Sequence, residues 1–517
     1  MLLFNHIPFP ASILLVCWIL FLAATVIAFF RKPTLFPWLL FGSAVCLAAA
    51  FAAFSPFLHP WDEQFHALVG KNLSKNPLIP RLIPNEPLHM YGKGIWADAD
   101  IWLHKQPLFT WQMALSIKLF GANAFAVRLP SVLFHGLLVL SVFRIGSMAA
   151  DRKTGFIAAL LVMHTSFLLG LISGKTGTDH NDFIFLCYIT FSFWAWFEWN
   201  ASSAQKWLYW IGIFAGCAIL TKWLVGLLVF AAWGATMLPQ LNLKNLWSSI
   251  RPLLHAFAVA ICIALPWQIY TFLRFPEEAR HEMSYNSRHI FQALENHGGN
   301  AWYHYEQIDQ IYFGQRDFLI LFAIALLLFL RSQVVRKDYK IFMLSGIGII
   351  YLFFTIVQTK MPAFTIPVLV LINLVFAVGI LEAARLFPWK RIRTTLPVLL
   401  TLLFVKALFK PGQTLAKQGL YNDLPENAYR EHLLKAHRFM EKKGSDSSRR
   451  VVFGVDFSPY AHISWMFFKD EIAYGFIPSP ENVWQLQKDG YDVAVIVTEA
   501  NRLEVQALPP TVEILDF

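Results

Sequence analysis

Twelve apolar stretches, each about as long as a bilayer is thick, leave this chain few ways to fold. A helix crossing roughly 30 Å of hydrocarbon needs about 20 mostly apolar residues at 1.5 Å each. Stretches of this kind lie near 8–30, 36–57, 126–149, 155–173, 183–199, 207–221, 223–239, 252–273, 317–331, 340–358, 363–384 and 394–409. Backbone polar groups in hydrocarbon must be satisfied within the protein, so runs of this length read as helices. Composition agrees, because 56% of the 517 residues are hydrophobic and only 15% charged, where soluble chains carry about 25% charged residues. The expected fold class is mostly α, a polytopic membrane helix bundle of about twelve spans.

The formal charge of +10 falls in short basic clusters between apolar runs, which is a membrane pattern and excludes nucleic acid as a partner. Cys17, Cys46, Cys187, Cys217 and Cys262 all sit inside apolar runs, without metal-ligand spacing, and read as small buried hydrophobes. The first thirty residues hold no Lys or Arg, so the basic n-region of a cleavable signal is missing. The first apolar run is therefore expected to remain as a span.

Alternate loops carry Arg31 and Lys32, Arg152 and Lys153, Lys206, Lys244 and Arg251, Arg331 to Lys340, and Arg385 to Arg393. Together these hold fifteen basic residues against Asp151, Glu198, Asp338 and Glu382. Basic loops face the cytoplasm, so both termini and every large loop are expected on the other side. That places a first loop at 58–125, a short one at 174–182, a second large loop at 274–316, a turn at 359–362 and the tail from 410. Pro107–Phe120 is apolar but too short to span, and reads as a helix in the interface with Trp111 and Lys118 at headgroup level. The tail alternates a helix at 427–443, a strand at 450–456, helices at 458–470 and 481–488, and a strand at 492–497, the pattern of a small α/β domain. The expected organisation is two N-terminal spans (1–57), the first loop with interfacial helices (58–125), the bundle (126–409) and an extracytoplasmic α/β domain (410–517).

Ionisable residues crowd the face with the large loops. Asp62 and Glu63, just past the second span, place two carboxylates at a membrane surface. His104-Lys105-Gln106-Pro107 opens the interfacial helix, where Lys105 can pair with a lipid phosphate. Lys175 to Asp182 is a polar turn containing Asp179 and Asp182, and Lys360 in Gln358-Thr359-Lys360-Met361-Pro362 is a second candidate phosphate ligand. The second large loop holds His281, His289, His297 and His304 beside Trp302, Tyr303 and Tyr305. None of these histidines has His-x-x-x-His or HExxH spacing, so they read as loop residues and no metal site is expected. Each motif alone is ordinary for a wet loop. A convergent set of ionisable residues at one membrane rim is a functional site by default.

The order of these motifs resembles the polyprenyl-phosphate-sugar-dependent glycosyltransferases of the GT-C fold, above all the branch of protein O-mannosyltransferases and the lipid A aminoarabinose transferase. The likeness runs through Asp62-Glu63, His104-Lys105-Gln106-Pro107, Leu119-Phe120-Gly121, Arg128-Leu129-Pro130, Thr178-Asp179, Thr221-Lys222, Pro266-Trp267, Glu295 to Tyr305, and Lys360-Met361-Pro362. It covers about 59–385. Two positions depart from the family pattern. Trp223 stands where Gly is usual, and His104 stands where the family has a Glu linked to cation binding.

The resemblance implies transfer of a monosaccharide from a polyprenyl-phosphate donor to a hydroxyl or phosphate of an extracytoplasmic acceptor, which would be lipid A, a surface glycan or a protein. It implies inversion at the anomeric centre and a bacterial inner-membrane protein with its site facing the periplasm. A lipid phosphate leaving group needs cations, for which Lys105, Lys360 and Arg128 are the expected ligands. Asp62 is the expected base, within hydrogen-bond reach of the acceptor, with Glu63 and Asp179 orienting the acceptor or stabilising positive charge on the sugar. His104, Asp182, His297, Trp302 and Tyr303 are expected to contact substrate. No cofactor is expected, a divalent cation near His104 being the one candidate, and the chain is expected to act as a monomer in the bilayer. A transporter of a lipid-linked or polar substrate is the alternative; it predicts repeated halves and broken helices at the midplane, and neither is present in the sequence. A scaffold predicts that Asp62→Ala changes nothing. An oligosaccharyltransferase predicts a Trp-Trp-Asp-like element in the tail, where none occurs.

Overall fold

The computed structural model describes residues 9–83, 86–88, 96–176, 179–240, 246–416 and 426–517. The chain divides into two compact units. The first comprises 1–51, 131–172 and 181–414, and the second 52–130, 173–180 and 415–517.

In the first unit apolar helices dominate; the stretches expected at 207–221 and 223–239 fall in one helical run, Lys206–Met237, and that at 155–173 is divided between two helices. Across the described residues seven helices are long and apolar enough to cross a membrane: Pro10–Arg31, Ala124–Ala149, Lys206–Met237, Leu246–Arg274, Lys337–Ile356, Pro362–Arg385 and Lys390–Thr414. An eighth is the pair Arg152–Met163 and Ser166–Ile172, bent by 54°. Phe36–Ala52 and Gln315–Arg331 are apolar but 17 residues long.

Burial separates core helices from outer ones. Of the most apolar part of Pro362–Arg385, 89% is buried, against 11% for Lys390–Thr414 and 17% for Pro10–Arg31. The outer helices expose Val16, Ile19, Leu20, Val398, Leu399 and Leu402. Water would penalise such a surface, whereas lipid is its natural solvent.

Two helices meet through small residues. Gly212 and Gly216 are four apart on Lys206–Lys222, and face Ala256 and Ala260 on Leu246–Arg274. A Cβ at Gly212 would stand 2.4 Å from the Ala256 carbonyl oxygen, and one at Gly216 would stand 2.6 Å from Ile263 Cβ. Without a hydrophobic force between helices in lipid, close backbone approach is what holds them. Gly212→Leu is therefore expected to cost about 1–3 kcal/mol by overpacking. Thermal unfolding in detergent should register this loss, and Gly348→Leu, which meets nothing within 4 Å, should not.

Several loops meet within the first unit. Among the basic loops and the helix ends beside them, Arg144 donates to Glu198 at 2.6 Å, Asn200 donates to Asp338 at 2.5 Å, and Arg385 lies 3.9 Å from Asp151. At the other ends, the backbone of 358–360 donates to Ile290, His289 and His297 of the second large loop. Lys244 lies outside the described residues.

The second unit contains a four-stranded, wholly parallel sheet. Its strands are β1 (Arg450–Phe453), β2 (Ile472–Ala473), β3 (Asp492–Val497) and β4 (Glu513–Asp516), in the order β2-β1-β3-β4. Val451, Phe453, Val493 and Val495 pack on one face with Val483 and Leu486. Val452, Ala494 and Ile496 pack on the other with Ala436, Ile463 and Trp465. Both faces are covered, as a parallel sheet requires. The second core continues into the first loop through Phe65, Leu68, Leu73, Trp102 and Ala114, so loop and tail are built around common apolar side chains.

Candidate functional site

The Asp62–Lys75 helix positions the site in the second unit. It begins at Trp61, whose φ of 88° is left-handed. Glu63, fully buried, reaches back to accept the His59 backbone N–H at 2.7 Å. Arg128 donates to both Glu63 carboxylate oxygens, at 2.6 and 2.9 Å. Its remaining N–H groups go to the carbonyls of Ala52 and Ser55 at 2.8 and 2.6 Å and of Phe57 at 2.9 Å. A guanidinium has five donors, and all five are used. Arg128 thus closes the carboxyl end of the Phe36–Ala52 helix and neutralises Glu63.

His180 Nε2 lies 3.3 Å from the same carboxylate. Burial alone would raise the Glu63 carboxyl, but the Arg128 guanidinium beside it and the His180 contact outweigh burial and hold it well below the usual carboxylate range. His59 is pushed the other way, to well below the ordinary imidazole value, chiefly by burial. Gly174, with φ +72°, leaves the room the carboxylate needs.

One helical turn after Asp62, on the same face, is His66. Its Nδ1 lies 2.9 Å from Asp179 Oδ1, and both side chains are at most 1% exposed. Trp102 and Phe109 pack edge-on against the His66 ring at 5.6 and 4.8 Å. Asp179 opens the Asp179–Ser202 helix with φ +31°. Asp62 itself is half-buried at the mouth of its helix.

The interfacial helix is Pro107–Phe120, with the bounds read from the sequence and Pro107 in its first turn. Leu115, Leu119 and Phe120 are exposed, which suits a helix with one face in lipid. Just before it, His104 stacks on Trp96 at 4.9 Å and lies edge-on to Trp102. Its Nε2 accepts from the Lys105 ammonium at 3.2 Å. At His104, the one place where a cation was a candidate, that nitrogen faces an ammonium and Trp96 stacks on the ring. Among the described residues no group of three His, Cys, Asp or Glu side chains is placed to hold a metal ion.

In the first unit Asp182 is paired with Lys222, whose ammonium lies 4.7 Å from the Phe364 ring centre. Lys360 is 2% exposed and donates to the carbonyls of Phe354, Thr355 and Val357 at 3.0, 2.9 and 2.7 Å. An ammonium has three donors, so Lys360 closes the carboxyl end of the Lys337–Ile356 helix. The His297 carbonyl accepts the Lys360 backbone N–H at 2.8 Å. Trp302 is 71% exposed, Tyr303 packs over Gly299, and His304 Nε2 lies 3.3 Å from the Phe354 carbonyl.

The expectations divide accordingly. Asp62, Glu63, His104, Lys105, Arg128 and Asp179 gather in the second unit, and Asp182, His297, Trp302, Tyr303 and Lys360 belong to the first. Arg128 and Lys360, expected on the donor phosphate, donate to protein oxygens in this structure. Glu63, expected in chemistry, is a buried ion-pair partner. Thr178 lies outside the described residues. His66 and Gly174 escaped the site reading of the sequence, whereas His180 and Lys222 lay in motifs it singled out without being given a role. The Asp62-x-x-x-His66 spacing, which puts both side chains on one helix face, was the available signal for His66.

Residues 104–270 match the family model of dolichyl-phosphate-mannose-protein mannosyltransferases. The undecaprenyl phosphate-alpha-4-amino-4-deoxy-L-arabinose arabinosyl transferase 2 of Pseudomonas fluorescens is 32% identical over 204 residues, which is 38% of this chain and 33% of that protein. The chain thus spans about a third of that relative's length. Among solved structures, ArnT from Cupriavidus metallidurans in the apo state superposes with a TM-score of 0.60 at 13% identity, over 91% of this chain and 88% of ArnT. ArnT bound to undecaprenyl phosphate gives 0.54 at 16% identity, over 96% and 89%. The resemblance is borne out at the level of the fold, which this chain shares with ArnT.

Proposed function

We propose that the protein is an integral-membrane glycosyltransferase that moves a monosaccharide from a polyprenyl-phosphate donor to an extracytoplasmic acceptor. The observation that carries this reading is the match to ArnT over nine-tenths of both chains, a protein crystallised with undecaprenyl phosphate. The family segment 104–270 also begins at His104 and Lys105 and contains Asp179. Multi-pass helices and alternate basic loops support a bacterial inner-membrane protein with the site toward the periplasm. The acceptor is a lipid, glycan or protein hydroxyl or phosphate, and the protein acts as a monomer.

In the proposed step an acceptor hydroxyl oxygen attacks the anomeric carbon as the bond to the phosphate oxygen breaks. The proton passes to the Asp62 carboxylate, and the electron pair leaves with the polyprenyl phosphate. Lys105, whose ammonium lies 3.2 Å from His104 Nε2, is the cation assigned to that phosphate. A single displacement inverts the anomeric centre.

Mass spectrometry of glycolipids and glycoproteins from cells carrying wild type or Asp62→Ala tests the proposal. A general base contributes about 10²–10⁴-fold, so a species one sugar heavier should be present with wild type and fall at least about 100-fold in the variant. Identical spectra, with the variant folded in the membrane, would overturn the reading in favour of transport or scaffolding.

A further inference from the structure

We infer that His66 is a positioning residue for the transfer reaction, fixing where the Asp179 carboxylate sits relative to Asp62; this rests on the transferase reading above. Three observations carry it. A carboxylate with no solvent exposure is expensive to bury, yet Asp179 is 0% exposed and held 2.9 Å from Nδ1 of His66, whose ring packs edge-on against Trp102 and Phe109. A chain needing only to fold would place apolar side chains in such a cage. Asp179 also adopts φ +31°, a positive φ that few residues other than Gly, Asn and Asp take up. Local strain of this sort persists only where surrounding contacts over-determine it, and it gathers at working sites.

The third observation is the helix. His66 follows Asp62 by four residues, so one rigid turn separates the two side chains on one face. The His66–Asp179 hydrogen bond therefore ties Asp179 to the element that carries the proposed base. With Nδ1 donating, His66 orients the Asp179 carboxylate, ready to stabilise positive charge on the sugar as the phosphate departs. The ring itself touches neither donor nor acceptor, and its effect passes through Asp179.

The nitrogen in contact decides the test. Asparagine places its side-chain N–H where Nδ1 stands, whereas glutamine reaches to the Nε2 position, and leucine supplies no donor. Initial rates of the mass shift are measured in membranes given increasing polyprenyl-phosphate donor, for wild type, His66→Asn, His66→Gln and His66→Leu. His66→Asn is expected to stay within about tenfold of wild type, while Gln and Leu lose about 100-fold in kcat with KM for the donor changed less than about threefold. Thermal stability in detergent is recorded for all four, so that a variant failing to fold is separated from one failing to react. Equal losses for Asn and Gln, or a loss borne by KM, would overturn the positioning role while leaving transfer intact. Absence of any shift with wild type would overturn the transferase reading itself.

Discussion

Gly174→Ala is expected to remove transfer activity and to leave little folded protein in the membrane. A Cβ at that position would lie 2.1 Å from the Glu63 carboxyl carbon and 2.3 and 2.4 Å from its oxygens. The carboxylate has nowhere to retreat, because Arg128, the His59 backbone N–H and His180 hold it from separate directions. The added methyl must therefore displace Glu63 from Arg128, and breaking a buried ion pair costs about 3–5 kcal/mol. A left-handed φ of +72° adds about 1 kcal/mol for a non-glycine residue. Gly490→Ala separates the two terms, since Gly490 has φ +82° with nothing within 4 Å of its would-be Cβ. It should show only the backbone cost. Folded yield and thermal midpoint in detergent give the comparison, and similar values for the two variants would mean that the pocket around Glu63 adapts to the methyl.

The helices were legible because hydrocarbon length imposes itself on sequence. The stretches expected to span are largely helical, and Pro107–Phe120 has the expected bounds. Strand β3 was legible as a buried apolar run, whereas β2 has two residues and β4, Glu-Ile-Leu-Asp, carries charges at both ends. Such short segments take their strand character from their neighbours. Phe65, Leu68 and Leu73 signal a helix with a buried face, but nothing in them says that the tail supplies the other half of that core.

The site was legible as chemistry and less so as geometry. Asp62, Lys105 and Asp179 stand out as ionisable residues at a membrane rim, and so do Arg128 and Lys360. Only the structure separates them, because donors spent on backbone carbonyls leave no trace in residue type. Arg128 and Lys360 each close a helix end, which is where four carbonyls lack partners. His66 was hidden by its aliphatic neighbours Ala67, Leu68 and Val69, which make it read as part of a core face.

Arg128→Met is expected to be more damaging than Glu63→Gln, and the double substitution less damaging than Arg128→Met alone. Methionine keeps volume but removes the cation, leaving the Glu63 carboxylate buried among Gly174, His59 and His180 with a charge that burial opposes. The single substitution should then cost about 3–5 kcal/mol. Removing the carboxylate charge as well relieves that cost, and a coupling of about 1–3 kcal/mol should appear in the cycle. The pH dependence follows from the same pair. In wild type the Glu63 carboxyl is held below its unfolded value, so its contribution is complete above the usual carboxylate range. It is lost only as pH falls toward the depressed folded value. In Arg128→Met the sign reverses, because burial without the guanidinium raises the carboxyl, and lowering pH through the ordinary carboxylate range should then recover stability by protonating Glu63. Thermal midpoints of detergent-solubilised wild type, both single variants and the double variant from pH 7.5 to about 4 measure both effects. Parallel curves for Arg128→Met and wild type would show that Glu63 does not depend on Arg128 for its charge.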